Sequence, residues 1–67
     1  MILTAVLTLD PDGGYVARNP ETGTTTQGGS VSEALSNLKE ATELYLEEFP
    51  VETTSPALMT TFEIVHA

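Results

Sequence analysis

One stretch of this chain constrains all the others: residues 30–49 carry the pattern of a single amphipathic helix, and nothing else in the sequence does. Ser30-Val31-Ser32-Glu33 has capping-box spacing, with Ser30 as N-cap and Glu33 three residues on to bond back to it. Val31, Ala34, Leu35, Leu38, Ala41, Thr42, Tyr45 and Phe49 then recur at steps of three and four, forming one stripe. Pro50 cannot continue a helix and restricts the residue before it, so the helix ends near Glu48 or Phe49. A lone amphipathic helix must bury its stripe on something, and the rest of the chain must supply a sheet.

Strand patterns are present on both sides of it. From Ile2 to Leu9 the residues alternate, with Leu3, Ala5, Leu7 and Leu9 on one face and Ile2, Thr4, Val6 and Thr8 on the other. Asp10-Pro11-Asp12-Gly13-Gly14 is a hairpin turn, built from a fixed φ, side chains that bond their own backbone and two glycines. Tyr15–Arg18 resumes as a short second strand, and Asn19-Pro20-Glu21-Thr22-Gly23 breaks it. Thr24-Thr25-Thr26-Gln27, β-branched and polar, suits a half-solvated edge strand closed by Gly28-Gly29. After the helix, Val51–Pro56 reads as a linker. Leu58–His66 returns to strand chemistry, with Leu58, Phe62 and Ile64 on one face. The expected fold class is therefore α+β: a β-β-β-α-β two-layer sandwich with one helix on one face of an antiparallel sheet, forming a single domain over residues 1–67.

Length sharpens this picture. A chain of 67 residues buries only about 60% of the surface its unfolded form exposes. With no cysteine, neither disulfides nor thiolate zinc sites can compensate. Helix-on-sheet packing and self-association are what remain, and a homodimer or homotetramer is expected. Leu, Ile, Val and Phe supply roughly a quarter of the residues, above the ~20% below which highly charged chains are disordered.

The formal charge of −8, with only Arg18 and Lys39 as strong cations, argues against direct nucleic-acid binding, which rests on Lys and Arg contacts to phosphate. The same charge either serves solubility or steers a basic protein partner to the chain. No apolar run approaches the ~20 residues that span a bilayer, and Met1-Ile2-Leu3 has no basic leader, so no membrane association and a cytoplasmic location are expected.

Catalytic chemistry finds few candidates. Asp10 and Asp12 belong to a turn, and the helix glutamates lie on a solvated face rather than around a pair of metal ions. His66 is the sole histidine and the penultimate residue, with no cysteine or second histidine to share a ligand sphere. Ser30 and Ser32 belong to a cap and have no histidine base within sequence reach. Gly28-Gly29 before a helix start could hold an anion, but they make no phosphate loop and Glu33 opposes the charge. No catalytic residue, cofactor or metal site is expected.

Gly13-Gly14-Tyr15, then Pro20, Gly23, Thr26-Gln27-Gly28, Glu33-Ala34, Asn37-Leu38-Lys39-Glu40-Ala41 and Leu44-Tyr45-Leu46-Glu47 follow one another in an order that resembles the HicB antitoxin family. In that family a G-G-Y hairpin leads through P-D-x-P-G-C-x-x-x-G-D-T into an E-A-x-x-N-x-x-E-A helix. The resemblance covers about residues 1–50. It implies a partial, non-catalytic ribonuclease-H-like fold, dimers or higher oligomers, and a role in masking HicA-type toxins, which are small basic mRNA interferases. The chain departs from the pattern in several places. The segment between Pro20 and Gly23 is one residue short, Glu21 replaces the common Asp, Thr24 stands where Cys is common, and Gly29-Ser30 stands where Asp-Thr is frequent. The DNA-binding domain that many members carry after this region has no counterpart in these 67 residues, so operator binding is not expected of them.

Three functional expectations follow. The first is a non-catalytic antitoxin domain that covers a basic HicA-like ribonuclease with Glu33, Glu40, Glu43 and Glu47, which share one anionic helix face. Leu44, on the flank of that face, is either a loose core member or part of a contact surface. The second is an orphan, self-associating domain that assembles through strand edges and Leu44. The third is a residual metal-dependent nuclease, which requires at least two of Asp10, Asp12, Glu40 and Glu63 to converge.

Overall fold

The computed structural model describes residues 1–52 and 55–66. It contains β1 (Val6–Leu9), β2 (Tyr15–Arg18), β3 (Thr25–Gly28) and α1 (Val31–Glu48). The strands form one antiparallel sheet in the order β1-β2-β3. The α+β architecture is thus a three-stranded sheet with one helix on one face. Of the expected linker, Thr53 and Thr54 lie outside the described residues, as does Ala67.

The hairpin forms where its chemistry demands. The Asp10 amide donates to Gly14 O at 3.0 Å, that of Gly13 to Asp10 O at 2.9 Å, and that of Asp12 to the Asp10 carboxylate at 3.0 Å. Gly14 has φ of 81°, and a Cβ there would sit 2.6 Å from Gly28 O on β3. The register places Leu7 opposite Ala17 and Ala17 opposite Thr26. Side chains in one such row share a sheet face. Here it is the helix face, since the Thr26 hydroxyl donates to Ala34 O at 3.0 Å.

The helix begins with Ser30 as the expected N-cap, while the return bond of Glu33 goes to Gly29, one residue before the cap. Ser30 Oγ accepts from the Glu33 amide at 3.1 Å, and Glu33 Oε1 reaches back to the Gly29 amide at 3.0 Å. At the other end the Phe49 amide donates to Tyr45 O, and Pro50 follows. The core is small: Ala17, Ala34 and Leu38, flanked by Ala5, Leu7 and Tyr15.

Three expectations need correcting. First, the helix buries far less than its eight-residue stripe. Only Ala34, Leu38 and Thr42 are buried, whereas Val31, Leu35, Tyr45 and Phe49 are exposed. The helix lies chiefly over β3 and then β2, leaving the β1 side of the sheet uncovered. It is also too long for its support. Eighteen residues rise roughly 27 Å, whereas a four-residue strand spans roughly 13 Å. Tyr45 and Phe49 project past the sheet and contact each other instead, ring centroids 5.1 Å apart.

Second, Leu58–His66 forms no strand. A strand exists only where a neighbouring edge accepts its hydrogen bonds. The described part of this segment makes no hydrogen bond to the sheet beyond its root at Ala57. Third, the first strand is shorter than the alternating run, starting at Val6 rather than Ile2, because β2 ends opposite it at Arg18. Among the described residues no helix is long and apolar enough to cross a membrane.

Gly28 sets the distance between helix and sheet, because a Cβ on it would lie 2.4 Å from the Ala34 backbone nitrogen. We expect Gly28→Ala to destabilise by about 1–3 kcal/mol, the range for overpacked sites. Gly29→Ala, whose Cβ would meet only the Glu33 carboxylate at 3.9 Å, should stay within about 0.5 kcal/mol. Urea denaturation of the two variants checks the contrast.

Candidate functional site

Glu40, Glu43, Leu44 and Glu47 are all exposed on the solvent side of α1, and Leu44 retains 59% of its accessible surface. Successive helix positions advance 100°, which groups Glu33, Glu40, Glu43, Leu44 and Glu47 within one face opposite the buried row Ala34-Leu38-Thr42. The structure thus brings together the acidic residues singled out from the sequence, and it places Leu44 among them rather than in the core. Glu33 differs from the others, because its carboxylate is held by the Gly29 amide and caps the helix. The Glu40, Glu43 and Glu47 carboxylates have no ion-pair or hydrogen-bond partner among the described residues. An anionic face with one apolar side chain on its flank can receive a basic protein surface.

No group of three or more His, Asp or Glu among the described residues could hold a metal ion, so the nuclease reading gains no support there. Asp10 is occupied in its turn, accepting from the Asp12 amide.

The second feature is a groove on one flank of the helix, about 680 Å³ in volume. Leu35, Leu38 and Leu46 form one wall and Met1, Leu3 and Ala5 the other. It exists because α1 sits off-centre over β3 and β2. Thr42 lines it as well, buried with a hydroxyl that has no hydrogen-bond partner among the described residues.

At the end of this groove lies a polar knot that sequence reasoning missed. Asn19, buried to 1% exposure, donates from Nδ2 to Thr4 O at 2.7 Å and to Glu21 Oε1 at 2.9 Å. Its Oδ1 accepts from the Thr22 amide and hydroxyl at 2.8 and 2.6 Å. Glu21 Oε1 accepts the Thr4 amide at 2.7 Å, and Oε2 accepts the Ala57 amide at 3.1 Å. Two side chains therefore do for Thr4 what a longer β2 would have done, and Glu21 also ties down the root of the C-terminal segment. The only available signal was Asn-Pro followed by an acid, which reads equally well as an ordinary turn.

These donors favour the charged form of Glu21. The Thr4 amide is the largest influence, partial burial opposes it, and the Ala57 and Asn19 contacts add to it, so its pKa falls below the ordinary value of about 4.5. A depressed carboxylate pKa contributes stability that is present above the unfolded value and lost as pH falls through the folded one. Glu21→Gln should therefore destabilise the protein at pH 7 and flatten the acid limb of stability below about pH 4.5, as followed by urea midpoints across pH 3–7.

Compared with protein-family models, with curated proteins and with solved structures, the chain matches none.

Proposed function

We propose that this chain is a non-catalytic, cytoplasmic protein-binding domain of antitoxin type, whose acidic helix face masks a small basic ribonuclease like the HicA toxins. The observation that carries the reading is the face of Glu40, Glu43 and Glu47, unpaired among the described residues, with exposed Leu44 on its flank. On a chain of net charge −8, it offers carboxylates where a ribonuclease expects RNA phosphates. Complementary charge speeds encounter and excludes wrong partners, while an apolar residue on the flank adds desolvated contact. The resemblance of residues 1–50 to the HicB pattern supports the same reading. So does the β-β-β-α order, which matches the first four elements of a partial ribonuclease-H-like fold. That fold continues with a strand after the helix, which Leu58–His66 does not form within this chain.

A second reading is a self-associating domain without a toxin. The exposed apolar residues of the C-terminal segment favour it, led by Leu58 at 101% and Phe62 at 84% exposure.

The test is capture on the tagged chain at low salt, followed by a salt step and a ribonuclease assay of the eluted protein. The first reading predicts a small basic ribonuclease that is inhibited when the chain is added back. The triple variant Glu40→Lys, Glu43→Lys, Glu47→Lys should weaken that complex about 10–100-fold, as three exposed charge pairs allow. Raising ionic strength should weaken it too, since the screening length is about 10 Å at 0.1 M. An eluate without ribonuclease, or inhibition untouched by the triple variant, would remove the acidic face from the account.

A further inference from the structure

The two outer edges of the sheet are not equivalent. Along β1 and its N-terminal extension, Thr4 turns its amide and carbonyl toward Asn19 and Glu21, and Asp10 turns its amide toward Gly14. Hydrogen-bonding direction alternates along a strand, so the even-numbered residues between them face β2. The backbone groups of Ala5, Leu7 and Leu9 consequently point to the open side. The same alternation, carried through the register, directs Tyr15 and Ala17 toward Gly28 and Thr26, and Gln27 outward from β3. That outer carbonyl is already taken, because Asn37 Nδ2 donates to Gln27 O at 2.8 Å. The helix thus blunts the β3 edge, while the β1 edge stands open beside an uncovered apolar groove. An open edge next to apolar surface is a template for another strand.

The chain carries a segment of matching character. Residues 58–66 are exposed throughout, and Leu58, Met59, Phe62, Ile64 and Val65 among them retain between 54 and 101% of their accessible surface. Apart from Glu63 and His66 the segment has no charge, on a chain that is otherwise strongly acidic. Its period-two pattern gives it an apolar face of Leu58, Phe62 and Ile64, and at about 3.3 Å per residue it covers the edge from Leu3 to Leu9 with two residues to spare. The segment leaves the body at Ala57, held by Glu21 and by the Thr4 hydroxyl, and makes no hydrogen bond to the sheet of its own chain beyond that root.

We propose that residues 58–66 are an exchange arm, which adds as a fourth strand to the β1 edge of a second copy of this chain. The arm's apolar face closes the groove between Leu3, Ala5, Leu35 and Leu46 of that copy. The exchange is reciprocal, so one two-fold axis satisfies both open edges and assembly stops at a closed dimer. Main-chain hydrogen bonds fix the strand, and the alternate apolar side chains select the face, as in other strand-addition interfaces. The area this face can bury suits a small dimer interface. Phe62 alone covers about 150–250 Å²; with Leu58 and Ile64 beside it on the same face, the groove surface they cover, and both arms counted, the interface approaches the roughly 1,200 Å² of the smaller stable complexes. Glu21 acts here as a positioning residue, because it holds the point from which the arm departs.

This inference is independent of the proposed toxin, and salt separates the two. Two chains of charge −8 repel, so an apolar exchange dimer should tighten with added salt, whereas a complex with a basic protein should loosen.

The experiment uses the full chain at about 100 μM, with mass measured by light scattering after size exclusion and amide exchange followed by NMR. The expected species is a dimer of the 7.1 kDa chain, with the Ala5, Leu7 and Leu9 amides protected. Phe62→Asp combined with Ile64→Asp should give a monomer, its dimerisation weakened at least 100-fold, with those amides exchanging freely and the helix content retained by circular dichroism. Leu44→Asp should leave the dimer intact. A monomeric native chain, a dimer indifferent to the two arm substitutions, or a dimer abolished by Leu44→Asp would each overturn the proposal. So would a monomer with protected edge amides, since the arm would then close on its own chain.

Discussion

The contact on which the rest of the structure depends is the backbone approach of β3 to the first turn of α1. Gly28 has no side chain, Ala34 is fully buried against it, and the Thr26 hydroxyl fixes Ala34 O one strand-step away. With the helix seated this closely on the β3 side, its axis cannot also lie over β1. The uncovered groove, the exposed Leu35 and the open β1 edge all follow from that one placement. In a larger protein another helix or strand would fill the gap. Here the described residues offer only the apolar C-terminal segment.

A second constraint is the polar knot at Asn19. When β2 stops at Arg18, Thr4 would lose its ladder partners, and burying an unsatisfied backbone amide costs on the order of 1–3 kcal/mol. Asn19 and Glu21 take over both groups. The knot therefore extends β1 functionally beyond its four paired residues while leaving its other edge free. Together the close helix contact and the knot account for a domain that is well specified on one side and unfinished on the other.

Much of this was legible in the residue pattern. The N-cap at Ser30, the stop at Pro50, the Asp10–Gly14 turn and the boundaries of β2 are all local, and each is set by side chains within a few positions of the backbone they govern. The anionic face was legible for the same reason, since helical spacing alone groups Glu40, Glu43, Leu44 and Glu47. What periodicity could not convey was how much sheet lies beneath the helix. Tyr45 and Phe49 belong to the apolar stripe but overhang it, and only the lengths of the paired strands decide that. The alternation in Leu58–His66 marks competence to form a strand and carries no information about which edge, or whose, receives it. Asn19 and Glu21 looked like turn residues because their partners, Thr4 and Ala57, lie far away in sequence.

The central claim is that this off-centre helix leaves a groove and an edge that another chain's arm completes. Isotope-filtered NMR on a sample mixed from labelled and unlabelled chains tests it most directly. The account predicts intermolecular contacts from the Phe62 ring and Ile64 methyl groups to Leu3, Ala5 and Leu46. Contacts from those arm residues that arise only within one chain, or none at all to the groove, would contradict it.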